Sequence, residues 1–343
     1  MTWMVYGANG YTGALIAELA VARGERPVLA GRNGHKVAAA AQRLGLEHRV
    51  FPLADAGAHL DGVDAVVNCA GPFSATWRPL VDACLRTRTH YLDITGEIDV
   101  FEGIAALDAE ARRAGVVLLP GVGFDVVPTD CIAALLHHAL PGATHLDLAF
   151  LSGGGPSAGT AATAVEGAAG GGRARVDGEL RSVPLGHRRR VAGFRSGARD
   201  VLAIPWGDVS TAHRSTGIPN ITTFTTFPPL LAKAHGVFQP LLALRPARQV
   251  AKALVRRIGG PSPAARDTSR SEVWGEVRDA RGTRVEASLT TPNAYALTAD
   301  SAVRAIGRLP DVEPGVHTPS SAFGAHYALE LDDVVLSEPR AAR

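Results

Sequence analysis

The sequence predicts an α/β protein: a doubly wound parallel sheet with an α+β domain inserted into it. Three observations carry that expectation. Short apolar runs alternate with amphipathic segments over the first 120 residues, and a glycine-rich turn joins the first of each. After about Asp130 the pattern changes to longer, strand-like runs and two Gly-rich stretches. Residues 1–130 are therefore expected to form the parallel unit, of Rossmann topology, completed by about 295–343. Residues 131–294 are expected to form the second domain.

The elements follow in order. Trp3–Tyr6 is a strand, and a helix runs from about Thr12 to Arg23. Pro27–Ala30 is a second strand, and Val37–Leu44 a helix with Ala and Leu on one face. Arg49–Phe51 and Ala65–Asn68 are further strands, with a helix over Trp77–Arg86. His90–Asp93 and Val116–Leu119 complete the set, separated by a helix near Val100–Ala114. Alternation at this spacing implies βαβ units and a sheet covered on both faces. Beyond it, Thr129–Ala139 reads as a helix ended by "LPGAT", and "HLDLAFLSG" alternates with period two, as a half-exposed strand does. The runs at Val183–Pro184, Val201–Pro205, Thr222–Thr226, Ser271–Arg278 and Thr283–Thr290 predict one large sheet. "DARG" serves as the turn of a hairpin over 272–291. Tyr295–Leu309 is a well-patterned helix expected to return to the first domain.

Composition excludes several functions. The chain has 343 residues, 20% charged, and a net charge of +2, too mild for nucleic acid. Three widely spaced cysteines, Cys69, Cys84 and Cys131, with no CxxC pair, argue against a disulfide framework. The twelve histidines show no ligand spacing, so no metal site is expected. The start shows no signal-peptide pattern and no apolar stretch is long enough to span a membrane, so a cytoplasmic protein is expected. Residues 228–258 carry an apolar face opposite Arg248, Lys252, Arg256 and Arg257, interrupted by Pro240 and Pro246. They read as helices packed on the domain or on a partner, or else as a contact with a membrane surface or a hydrophobic substrate.

"VYGANGYTG" places Gly7, Gly10 and Gly13 between a strand and a helix. Gly7 permits the tight turn, Gly10 lets the backbone approach a pyrophosphate, and Gly13 lets the helix pack close to the strand. Phosphates lie over such a helix N-terminus because its free N–H groups and dipole attract anions. Ala8, Asn9, Tyr11 and Thr12 complete the turn. Arg32 follows Gly13 by 19 residues, where an acidic residue would hold the ribose hydroxyls of NAD. Arg32, with Asn33 beside it, instead suits a 2′-phosphate, and so NADP(H). Polar groups also collect at later strand ends. "VVNCAGPF" supplies Asn68, Cys69, Ala70, Gly71 and Phe73 for the nicotinamide half, while "HYLDITGE" and "PGVGFDVVPTD" carry Asp93, Thr95, Glu97 and Asp125.

At these residues the chain resembles the saccharopine dehydrogenase-like oxidoreductases. "GANGYTG", "LAGR", "NCAGPF", "HYLDITGE" and "GFDVVPTD" occur in that order; "GGGPSAGTAAT", "YALTADSA" and "GVHTPSSAFG" are most similar to the trans-acting enoyl reductase branch. The resemblance runs from Val5 to about Gly324. It implies a Rossmann domain with an inserted substrate domain, hydride transfer from a nicotinamide cofactor to a small-molecule substrate, and a homodimer. Family members reduce imines formed from amino acids, or conjugated double bonds in lipid and polyketide intermediates.

Either reduction needs a proton donor or a stabilising dipole. Asp125, Asp93, Tyr91 and Glu97 are the candidates. Against a chemical role, Asp125 is also placed to cap the helix near Pro128, and Asp93 to satisfy loop N–H groups. An imine substrate would want arginine anchors, for which "HRRRVAGFRSGAR" (187–199) is the candidate, although a solvated hairpin explains that cluster equally. An enoyl substrate would want an apolar wall, which "FTTFPPLL" (224–231) and Phe238 offer. The expected activity is NADPH-dependent reduction of an activated C=C in a biosynthetic intermediate. The alternatives are an imine reductase of the same fold and a non-catalytic NADP-binding accessory protein.

Overall fold

The structure is a computed structural model that describes residues 1–155, 171–226, 249 and 260–342. The chain opens with β1 (Trp3–Tyr6), α1 (Tyr11–Ala22), β2 (Val28–Gly31), α2 (Gly34–Leu44) and β3 (His48–Val50). β4 (Ala65–Asn68), α3 (Phe73–Thr87), β5 (His90–Asp93), α4 (Ile98–Ala105), α5 (Asp108–Ala114) and β6 (Val117–Leu119) follow. Next come α6 (Val127–Ala139), β7 (Ala143–Leu151), β8 (Gly172–Val176), β9 (Glu179–Val183), β10 (Arg189–Phe194) and β11 (Gly197–Ile204). Then α7 (Asp208–Thr216), β12 (Asn220–Thr225), α8 (Pro263–Thr268), β13 (Arg270–Asp279) and β14 (Arg284–Pro292). The last described elements are α9 (Ala294–Arg308), β15 (Gly315–Val316), α10 (Pro319–Phe323) and β16 (Val335–Ala341).

Two compact units result, Met1–Val127 with Tyr295–Phe323, and Pro128–Ala294 with Gly324–Arg343. The first is built on a seven-stranded sheet in the order β15-β6-β5-β4-β1-β2-β3, parallel at every pairing. β1 and β4 are buried along their whole length, which is why both read as apolar runs up to their last residue. Met4, Val66 and Leu118 from the strands meet Leu80, Val81 and Ile104 from the helices in one core.

The second unit is built on a nine-stranded mixed sheet in which β7 runs parallel to β12 and antiparallel to β13. β13 and β14 form the expected hairpin, paired from Arg270↔Pro292 to Arg278↔Arg284. α6 packs against one face of the sheet. A Cβ added to Gly275 would lie 2.7 Å from Leu136 Cδ1 of that helix. On the other face Trp274 gathers Ala149, Ala192, Phe194, Val201, Ala203 and Phe224.

Several bounds differ from expectation for local reasons. α2 begins at Gly34 because the Asn33 side chain accepts from Lys36 N at 3.0 Å. The helix expected near 100–114 is two helices, broken at Ala106–Leu107. β7 was expected to be half exposed, yet most of it is buried, because Ala192, Phe194, Val201 and Ala203 of the β10–β11 hairpin pack with Trp274 over its outer face. The return of the chain to the first unit was expected over 295–343, but it ends at Phe323. Beyond it β16 pairs antiparallel with β14 and so belongs to the second sheet, whose edge it covers. The "FTTFPPLL" wall beyond Thr226, Phe238 and segment 228–258, Gln249 apart, lie outside the described residues, as does most of "GGGPSAGTAAT".

Candidate functional site

In the first unit the strand order reverses between β1 and β4, which opens a crevice at their carboxyl ends. Gly7 leaves β1 with φ of +86°, and an added Cβ would lie 2.9 Å from Ala70 N. Only glycine allows the exits of β1 and β4 to pass this close. Gly7 N and Ala8 N donate to Ala30 O at 2.8 and 3.2 Å, and Cys69 N donates to Tyr6 O at 2.8 Å, tying three strand ends together. Gly10 N closes the turn on Gly7 O at 2.9 Å. At Gly13 a Cβ would lie 2.5 Å from Gly7 O, so α1 could not approach the turn with any other residue.

The turn fits the diphosphate of a dinucleotide. α1 has Gly10 at its N-cap with no side-chain cap and no acidic residue in its first turn, so its dipole meets no competing carboxylate. Asn9 is exposed and Thr12 half-buried, while the Tyr11 ring packs edge-on against Tyr295 at 5.0 Å.

Arg32 is exposed at the end of β2 and has no hydrogen-bond or ion-pair partner among the described residues. Its charge reaches the buried Tyr6 hydroxyl: burial raises the Tyr6 pKa, and Arg32 opposes the rise. Asn33, expected at the cofactor, spends its side-chain oxygen on the N-cap of α2.

The loop after β4 is held by a chain of buried polar groups. Asn68 accepts from Ala70 N at 3.1 Å and donates to Tyr91 Oη at 3.2 Å and Thr76 Oγ1 at 3.3 Å. Tyr91 Oη donates to Asp93 Oδ2 at 2.8 Å. Asp93 Oδ1 accepts from Thr95 N at 3.0 Å and from Gly121 N at 2.9 Å, joining the exits of β5 and β6. Burial raises the Asp93 pKa to about 6, against the pull of these donors. Thr95 Oγ1 accepts from Glu97 N, and the Glu97 carboxylate takes Phe73 N and Ser74 N, each at 2.8 Å.

Glu97 therefore caps α3 from 24 residues away. Pro72, the local N-cap, has no side-chain acceptor. This explains why α3 starts at Phe73, four residues before the expected Trp77, and why Phe73 is a buried helix residue rather than part of an open loop. Gly71 and Pro72 remain exposed, and Cys69 and Ala70 half-exposed, along the crevice. Tyr91 and Asp93, candidates for the chemistry, are fully buried and committed to this chain of bonds, as Glu97 is to α3.

Asp125 differs from them. It is half-exposed, and burial of its carboxyl raises its pKa to about 7. A Cβ added to Gly96 would lie 2.8 Å from Asp125 Oδ2, so the "ITGE" loop and the "GFD" turn meet at this carboxyl. Thr298 of α9 holds the turn by accepting from Phe124 N at 3.0 Å. The sequence reading missed Thr298, Thr76 and Gly96 as supports, although Thr298 lies within "YALTADSA" and Gly96 within "ITGE". The arginine cluster at 187–199 lies in the second unit, in β10, β11 and the residues flanking them.

A parallel sheet in this strand order, with a glycine turn at the switch point and no carboxylate at the end of β2, defines a dinucleotide-binding α/β domain. Comparison adds a likeness: residues 3–119 match the family model of the saccharopine dehydrogenase NADP binding domain. A trans-acting enoyl reductase of Mycobacterium leprae is 35% identical over 138 residues, 37% of this chain and 33% of that protein. The Mycobacterium tuberculosis trans-acting enoyl reductase is 32% identical over the same length and shares of the two chains. The chain thus matches about a third of the length of these relatives. Saccharopine dehydrogenase (L-Glu forming) of Saccharomyces cerevisiae shares the fold, with a TM-score of 0.67 and 13% identity over 100% of both chains. No helix among the described residues is long and apolar enough to cross a membrane.

Proposed function

We propose that this protein is an NADPH-dependent oxidoreductase that delivers hydride to an activated C=C of a biosynthetic intermediate. The observation that carries the cofactor choice is Arg32, an exposed guanidinium without a hydrogen-bond or ion-pair partner among the described residues, where an NAD enzyme keeps a carboxylate. The match to an NADP binding domain and the relatives named trans-acting enoyl reductases support the same reading. Bound NADPH supplies the hydride.

The residues of the chain bind and orient. The Gly7–Gly13 turn takes the diphosphate, Arg32 the 2′-phosphate, and the 69–72 backbone lines the nicotinamide half. Tyr91, Asp93 and Glu97 are positioning residues that hold this backbone. Asp125 is the proton donor in this reading: its carboxyl lies where the "ITGE" loop meets the "GFD" turn, and burial raises its pKa to about 7. Arg188 and Arg190, two of the anchors an imine substrate would need, lie in the second unit, ion-paired with Asp147 and Glu276. A homodimer, the assembly the resemblance implies, is part of the proposal.

Fluorescence titration with NADPH and NADH tests the cofactor assignment. NADPH is expected to bind the tighter, and Arg32→Asp to weaken NADPH about tenfold or more while changing NADH little. Equal affinities in the wild type, or an unchanged NADPH affinity in the variant, refute it. Oxidation of NADPH with α,β-unsaturated carbonyl compounds, compared with imines of amino acids, tests the substrate class.

A further inference from the structure

The second unit contains a polar cavity of about 360 Å³ lined by His145 and Asp147 of β7, Glu276 and Arg278 of β13, Arg284 of β14 and, at β10, Arg188 and Arg190. Strand alternation puts Asp147, Glu276 and Arg278 on the same face as Trp274, and β10 folds back over that face. The Arg190 guanidinium lies 4.4 Å from the Trp274 ring centroid.

The charges in this cavity do not balance. Asp147 receives a bidentate pair from Arg188, both bonds 2.9 Å, and a further ion pair from Arg190. Glu276 pairs with Arg190 and with Arg284, each at 3.1 Å. Both carboxylates are buried and already shared among three arginines. Arg278 is exposed at the rim and has no carboxylate partner among the described residues. Burial, then the guanidinium of Arg278, push the pKa of His145 below its ordinary value, against the pull of Asp147. Four guanidiniums face two carboxylates, leaving two positive charges for whatever enters.

Guanidinium forks matched to oxygen pairs, in a cavity of this size, suit a compact dianion better than an extended chain. The buried acids hold Arg188, Arg190 and Arg284 in place, so little side-chain freedom is lost when an anion binds. We propose that this cavity binds a phosphate dianion, free or carried as a phosphomonoester, with Arg278 as the group it gains. The site is confined to the second unit and does not depend on the proposed reductase activity.

Calorimetric titration of the full chain at constant ionic strength tests it, with inorganic phosphate, glycerol phosphate and succinate as probes. Saturable binding of phosphate is expected, weakened about tenfold or more in Arg278→Ala. Arg281→Ala is the control of equal charge change, since Arg281 is 91% exposed in the turn between β13 and β14 and outside the cavity. It is expected to bind phosphate like the wild type, and both variants to bind NADPH normally. Glycerol phosphate binding as tightly as phosphate identifies the monoester as a ligand, while phosphate alone binding identifies the free ion. No saturable phosphate binding, equal losses in the two variants, or succinate binding more tightly than phosphate overturns the proposal.

Discussion

Glu97→Ala distinguishes a positioning residue from a chemical one. The Glu97 carboxylate accepts from Phe73 N and Ser74 N at 2.8 Å each, and no local side chain can take over, because the N-cap of α3 is Pro72. A helix cap contributes about 0.5–2 kcal/mol, and this one serves two N–H groups through a charged acceptor at a partly exposed site. The variant is expected to lose roughly 1–2 kcal/mol, a fall in Tm of about 2–8 °C for a unit of this size. Glu97→Gln keeps one acceptor oxygen and is expected to fall between. Because the loop at 69–72 leads directly into α3, NADPH affinity is expected to weaken in the same order. Thermal melting and fluorescence titration of the three proteins check this. An alanine variant with wild-type Tm and NADPH affinity but no turnover would refute the capping role and return Glu97 to the chemistry.

Two further predictions follow from the same geometry. Gly13→Ala places a Cβ 2.5 Å from Gly7 O, so α1 must shift, and NADPH binding is expected to be lost in a protein whose second unit still folds; unchanged binding refutes the close-packing argument. Burial holds the carboxyl of Asp125 at about 7 and that of Asp93 at about 6, both above their unfolded values near 4. The folded protein keeps protons that the unfolded chain has released, so this stability is full below about pH 4 and is lost as pH rises through 6 and 7. Asp125→Asn is expected to flatten the fall in Tm between pH 5 and pH 8 and to abolish turnover with NADPH affinity intact. An unchanged slope refutes the burial of that carboxyl.

Much of the first unit was legible because its determinants are local. β1, β4 and β5 occupy the residues expected; for β1 and β4 the reason is that strands buried on both faces read as apolar runs. The spacing from Gly13 to Arg32 is likewise set by one helix and one strand in succession, so position along the chain is enough to find it. β10 and β16 were harder to see, because each is defined by what it pairs with. The bonds around the candidate site were harder still. Glu97 reaches back 24 residues to α3, Asp93 forward 28 to Gly121, and Thr298 of α9 holds a turn 174 residues earlier.

The sequence alone determined the parallel α/β unit, its glycine turn and the sign of the charge at the end of β2. These follow from backbone sterics, hydrophobic periodicity and a single residue type, each readable within a few turns of chain. Tertiary structure decided which partners the polar residues of the candidate site take. It spent Asp93 and Glu97 on backbone N–H groups and Tyr91 on the Asn68 and Asp93 side chains, raised the Asp125 pKa by burial, and divided "HRRRVAGFRSGAR" between ion pairs and surface. A side chain's hydrogen-bond partners and its burial are properties of non-local contacts, and those exist only once the sheets have assembled.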